Sequence, residues 1–210
     1  MSFELVIWHE PGQITADRAA RTVAPDARTG IPPHPAVAAF VQEFAKAFPD
    51  TDLDDGGPRY AVVRTAPEQA DEISTQVYAL ARAHGLVCYD PGRGLVHNLE
   101  PRTAHPETRL HTGDGMVVAD PDRGLVQDVL GRLSPAENPF AVLVLFGRHF
   151  IQVSPETRPG GGTGYELEYK DSPRNLLYRT HVDDLAEVRR AFDEYARDER
   201  GFLERLEWAT

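Results

Sequence analysis

From Phe140 onward the chain carries a succession of β-forming segments joined by turns, and this limits the fold more than any other feature. Phe140–Phe146 is an uninterrupted apolar run of seven residues. Phe150–Val153 follows the turn at Gly147-Arg148, and Tyr165–Lys170 follows the glycine-rich Gly160–Gly164. Leu176–Arg179 comes after Asp171-Ser172-Pro173. Consecutive strands linked this way pair antiparallel, because a parallel pair needs a longer crossover, usually helical. Tyr165, Leu167 and Tyr169 alternate strictly with Glu166, Glu168 and Lys170, which places the two sets on opposite faces of one strand. The apolar run falls well short of the roughly 20 residues that span a bilayer. It is expected to be a buried central strand.

The first half is patterned differently. Phe3–Trp8 is rich in β-formers and stops before Pro11-Gly12, which predicts an opening strand. Residues 14–22 suit a short helix with Ala16, Ala19 and Ala20 on one side. After Ile31-Pro32-Pro33-His34-Pro35, the residues Val37, Phe40, Val41, Phe44, Ala45 and Phe48 recur at helical spacing as one apolar stripe. Tyr60–Arg64 reads as a strand. Thr65 and Glu68 have the spacing of a capping box for a helix that buries Ile73, Val77 and Leu80 and stops at Gly85. Leu86–Tyr89 and Leu95–His97, on either side of Asp90-Pro91-Gly92, read as a hairpin.

Residues 99–113 hold Pro101 and Pro106 among mixed polar groups without periodicity, so the linker is expected there, between domains at 1–100 and 113–210. The second domain is expected to open with a strand at Met116–Val118. Asp120 with Pro121 then caps a helix burying Leu125, Val126, Val129, Leu130 and Leu133. Its last long helix starts at Asp184, paired in spacing with Glu187, and buries Leu185, Val188, Phe192 and Tyr195. Leu203, Leu206 and Trp208 close the chain against it. The expected fold class is α+β: two successive domains, each a mostly antiparallel sheet with helices packed on one face.

Against 22 Lys and Arg stand 33 Asp and Glu, a net charge of −11. The acidity is spread along the chain. Binding to phosphates rewards basic surfaces, so neither nucleic acid nor an anionic membrane is expected as a partner, whereas a basic protein would be steered toward the chain. The start Met1-Ser2-Phe3-Glu4 has no secretory-signal pattern, and Cys88, the single cysteine, sits in an apolar run as a small buried residue. A cytoplasmic location is expected.

Few residues group into chemistry. The eight histidines include no pair at i, i+4 helical spacing, and His105 and His111 fall in the expected linker. His84 suits interaction with the end of its helix. Asp50, Asp52 and Asp54 start like a calcium loop, but Asp55 stands where glycine makes the sharp turn and Ala61 where a bidentate Glu closes the site. The glycine run at 160–164 leads into a strand and offers no helix N-terminus to a phosphate. No catalytic set, metal site or cofactor is expected. The acids Asp52, Asp54, Asp55, Glu166 and Glu168 are the candidate partner-binding residues, with an ordinary solvated surface as the alternative.

The second half also carries Gly164-Tyr165-Glu166-Leu167-Glu168-Tyr169-Lys170-Asp171, then Glu187-Val188-Arg189-Arg190-Ala191-Phe192-Asp193-Glu194-Tyr195, then Leu206-Glu207-Trp208. This order of a Glu-Tyr strand, an Ala-Phe-x-x-Tyr helix and a terminal Glu-Trp resembles actinobacterial immunity proteins of polymorphic toxin systems, in the group associated with deaminase toxins. The likeness covers residues 160–208. His84-Gly85-Leu86-Val87-Cys88-Tyr89-Asp90-Pro91 is similar to uncharacterised proteins of the same bacteria. The resemblance implies a non-catalytic antitoxin that occludes a cognate toxin, and the acidic composition suits a basic one. The alternatives are a cytoplasmic interaction protein of another kind and an enzyme whose site does not show in sequence.

Overall fold

A computed structural model describes residues 3–12, 14–98, 101–157 and 162–209. The chain divides into two compact units, residues 1–100 and 101–210, each built around its own antiparallel sheet, so the architecture is α+β in two successive domains.

The first unit runs β1 Phe3–Trp8, α1 Ala16–Thr22, α2 Pro35–Ala47, β2 Asp52–Asp55, β3 Tyr60–Thr65, α3 Ala70–Ala83, β4 Val87–Asp90 and β5 Leu95–His97. Its sheet has the order β2-β3-β1-β4-β5. β3 and β4 both lie antiparallel to β1, so α3 crosses over β1 to join two strands of like direction. Leu5 and Ile7 alternate with Val6 and Trp8, and all four are buried, so β1 is covered on both faces. Val6 and Trp8 join Ala19 of α1 and Ile14, Val23 and Ile31 of the flanking loops in one cluster. The segment from Ile14 to Ile31 therefore forms a second cover of the sheet, besides α2 and α3.

The apolar stripe of α2 forms at Val37, Phe40 and Phe44, which are buried, while Ala45 at its edge is exposed. His34 caps this helix, its Nδ1 accepting from the Ala36 amide at 3.3 Å. The expected capping box does not form. Thr65 ends β3, a single 3-10 turn at Pro67–Gln69 intervenes, and α3 has no side-chain cap. Gly85 ends α3 with a φ of +67°, the left-handed conformation a helix terminus asks of glycine. His84 reaches sideways to Glu43 of α2 at 2.9 Å.

The second unit runs β6 Arg109–Thr112, β7 Val117–Ala119, α4 Arg123–Leu130, β8 Ala141–Leu145, β9 His149–Thr157, β10 Thr163–Asp171, β11 Leu176–Val182, α5 Leu185–Ala196 and α6 Gly201–Arg205. The sheet order is β11-β10-β9-β8-β6-β7. The expected meander is present, with β8 in its interior. The expected linker is corrected: residues 109–112 form β6, which pairs with both β7 and β8, and Leu110 is fully buried. Residues 99–100 of that linker, and Gly160 and Gly161 of the glycine run, lie outside the described residues.

One face of this sheet, through Leu110, Ala141, Leu143, Ile151, Val153, Leu167 and Tyr169, is buried together with Leu125, Val129, Val188, Phe192 and Phe202 of the helices. α5 packs on β9, β10 and β11, and α4 packs beside α5. Arg123 holds Asp193 at 2.6 Å between the two helices. Asp184 caps α5 as expected, accepting from the Ala186 amide at 2.8 Å. The cap of α4 is Asp122, which is 2% exposed and accepts from the Leu125 amide at 2.7 Å, and not Asp120. At the chain end, Ala209 exchanges two backbone hydrogen bonds with Arg179 and so covers part of the outer edge of β11.

Candidate functional site

The five acids singled out in the sequence fall into two places. Asp52, Asp54 and Asp55 lie on β2, the edge strand of the first sheet. Arg64 of β3 stands 3.9 Å from Asp52 and 3.6 Å from Asp54, and the Asp55 carboxylate accepts from the Gly57 amide at 2.8 Å to shape the turn. A charged edge strand resists pairing with another chain, which is a sufficient role for these side chains. Glu166 and Glu168 lie in the other unit, on the face of β10 turned away from the helices. The two groups are not joined within one unit.

The face that carries Glu166 and Glu168 is the larger feature. Because the pleat alternates, its composition follows from the register. One row runs Arg179, Glu168, Gln152, Val142, His111, Val117 across six strands, and the next runs Leu177, Lys170, Phe150, Val144, Arg109, Ala119. None of these residues is buried. Phe146, in step with Val142 and Val144, is 66% exposed, with the Arg109 guanidinium 5.8 Å from its ring centre.

The charges on this face largely answer one another. Arg179 donates to Glu168 at 2.6 Å, His181 lies 3.0 Å from Glu156, and Lys170 donates to Asn175 at 2.8 Å. Burial, with Arg109 adding to it, lowers the pKa of His111 and favours its neutral ring. The outcome is an apolar centre on β8 and β9 with ion pairs along β10 and β11, rather than an acidic patch. Sequence reading missed this centre because Phe140–Phe146 looks like a strand covered twice. A continuous apolar run has that meaning in most sheets. Here, among the described residues of the unit, helices cover one side only. The discrepancy between an apolar run and a half-covered strand is itself the signal that marks the surface.

A second polar cluster joins the start of β9 to the end of α5. Arg200 donates to Nε2 of His149 at 2.8 Å, the other ring nitrogen lies 2.9 Å from the Tyr195 hydroxyl, and that hydroxyl donates to the His149 carbonyl at 3.0 Å. Asp198 and Tyr169 also engage Arg200. Burial and then the Arg200 charge lower His149 to about 4, and burial raises Tyr195. A neutral imidazole accepting from arginine at one nitrogen and donating at the other has no position left for a substrate proton. The cluster acts as a clasp between helix and strand. Among the described residues no group of three or more His, Cys, Asp or Glu side chains is arranged to hold a metal ion, and no helix is long and apolar enough to cross a membrane. No protein-family model, curated protein or solved structure matches this chain.

Proposed function

We propose that this chain is a protein-binding inhibitor of the immunity type, and that it occludes its partner with the open face of the second sheet. The observation that carries the reading is the half-covered strand β8: Val142, Val144 and Phe146 of its apolar run, with Phe150 of β9, stand on a face that its own unit leaves uncovered. Apolar surface of this kind is characteristic of interaction sites. Its size is adequate. Six strands about 4.8 Å apart, the shortest of three residues and the longest of nine, give a face of about 600 Å², at the lower end of the roughly 600–1,000 Å² each partner brings to a standard interface. A net charge of −11 favours a basic protein over nucleic acid. A buried unpaired thiol at Cys88 suits the reducing cytoplasm, where such an inhibitor would guard its own cell.

The test is binding to the product of the gene adjoining its own, the position a cognate toxin takes. Co-elution and inhibition are expected. Val144→Lys together with Phe150→Glu, which sets opposite charges across this strand pair, is expected to weaken the complex by about 100-fold or more, about 2.7 kcal/mol, with the fold retained by circular dichroism because neither side chain is in the core. Separate elution of the wild-type proteins at micromolar concentration removes the toxin reading. A complex indifferent to the double substitution removes this face. Elution of the chain by itself as a dimer that the substitutions dissociate makes the face a self-association surface instead.

A further inference from the structure

The first unit contains a cavity of about 460 Å³ where β1 runs out of the sheet, a volume ordinary for a small-molecule site. Pro11, Ala27 and Pro32 supply exposed apolar lining over the buried Trp8 and Ile31, and His9, Glu10 and Arg18 supply the polar groups. Its walls are fixed from several sides. Arg59 donates to the Ile31 carbonyl at 2.5 Å. Arg28 ties the loop down by donating to the Val23 carbonyl at 2.6 Å and to Glu4 at 2.9 Å. The His9 ring stacks on that of His34 at 3.7 Å, and His34 is held in turn as the cap of α2.

Glu10 is the anomaly in this wall. Its side chain is only 11% exposed, yet its partners among the described residues are distant. The Trp8 indole donates to it at 3.5 Å and Arg18 stands 3.6 Å away. Hydrogen bonds to a carboxylate settle below about 3 Å, and a carboxylate withdrawn from water is costly unless such bonds are made. His9 does not supply the missing cation: burial, then the neighbouring His34, lower its pKa, against a smaller pull from Glu10. Arg18 is 61% exposed and held at one long contact, the kind of pair that contributes little and separates readily.

We propose that this cavity binds a small organic cation, an amine on an alkyl or aryl body, with the ammonium on Glu10 and the body along Pro11, Ala27 and Pro32. Arg18 occupies the place of that cation when the cavity is empty and swings into solvent when the ligand arrives. The recognised class follows from the arrangement. An anion meets the inward carboxylate and is excluded. A zwitterion requires Arg18 to stay and take its carboxylate, whereas a simple amine requires Arg18 to leave. This site is independent of the open sheet face and of the inhibitor reading.

Isothermal titration of the full chain with phenethylamine, phenylalanine and phenylacetate separates these cases. Phenethylamine is expected to bind, with phenylalanine weaker and phenylacetate silent. Glu10→Gln is expected to weaken the amine by about tenfold or more, the loss of one charge-assisted pair. Arg18→Ala, on an exposed side chain that leaves folding intact, is expected to leave binding unchanged or tighten it severalfold. The proposal is overturned if the wild-type chain takes up no phenethylamine at millimolar concentration, or if Glu10→Gln, folded by circular dichroism, binds it as before. It is overturned equally if Arg18→Ala weakens the amine, or if phenylalanine is the tighter ligand.

Discussion

His97 lies in the interior of the first unit with neither ring nitrogen partnered among the described residues, and its ring is stacked on Tyr78 at 3.8 Å. An unpaired buried polar group costs about 1–3 kcal/mol, so the side chain weakens the fold it sits in. Burial, with a smaller contribution from Arg93, lowers its pKa from 6.5 to about 3. The folded state therefore refuses a proton that the unfolded chain accepts. The cost of burying it is least above pH 6.5, and stability is lost as the pH falls toward 3, at about 1 kcal/mol per pH unit between 6 and 5. His149, lowered to about 4, acts in the same direction over a shorter window. His97→Leu is expected to keep or raise the melting temperature at pH 7 and to flatten the acid limb of stability, as read by urea denaturation from pH 7 to 5. An unchanged acid limb would assign that proton elsewhere. That Leu95–His97 is a strand was legible in the sequence. That its histidine faces an aromatic ring with no partner was not, because the helix supplying Tyr78 is fixed only by tertiary packing.

Among the elements, legibility followed the length of the pattern. α2, α5 and the meander β8–β11 repeat their signal over several residues and formed where expected. β6 did not show, because the four residues Arg109–Thr112 present a single fully buried apolar side chain, Leu110, between two prolines and a turn. It is a strand because β7 and β8 pair with it. Helix caps show the same limit. In Asp120-Pro121-Asp122 either aspartate fits the composition of a cap, and backbone geometry decides. Asp120 has a φ of +49°, while Asp122 has the extended backbone a cap requires. Asp122→Ala is therefore expected to destabilise the chain by about 1–2 kcal/mol, the upper range for a lost cap, since its carboxylate is buried at the Leu125 amide. Denaturant midpoints of this variant and of Asp184→Ala, an exposed cap, provide the check. The first should fall further, and equal losses would mean that burial adds nothing to the Asp122 bond.

At the scale of the whole molecule, charge and contact separate. The sequence makes all five singled-out acids look equivalent, since composition carries no information about which face a carboxylate occupies or what answers it. Folding distributes them between an edge strand of one unit and an open face of the other, where Glu168 is already engaged by Arg179. Net charge nevertheless acts at long range, over a screening length of about 8 Å at physiological salt, and governs encounter more than residence. Binding of a basic partner through the open face is thus expected to show an association rate that falls about tenfold between 50 and 500 mM NaCl. The dissociation rate, which the proposed interface assigns to Val142, Val144, Phe146 and Phe150, is expected to stay within about twofold. Glu166→Gln with Glu168→Gln is expected to change affinity by less than about threefold, within the range of exposed ion pairs. Asp52→Asn, Asp54→Asn and Asp55→Asn together should act on association alone. Surface plasmon resonance over that salt range reads both rates. A dissociation rate that climbs about tenfold with salt, or a large loss of affinity in the Glu166 and Glu168 double variant, would return the contact itself to the carboxylates and leave the apolar centre of the sheet without a role in binding.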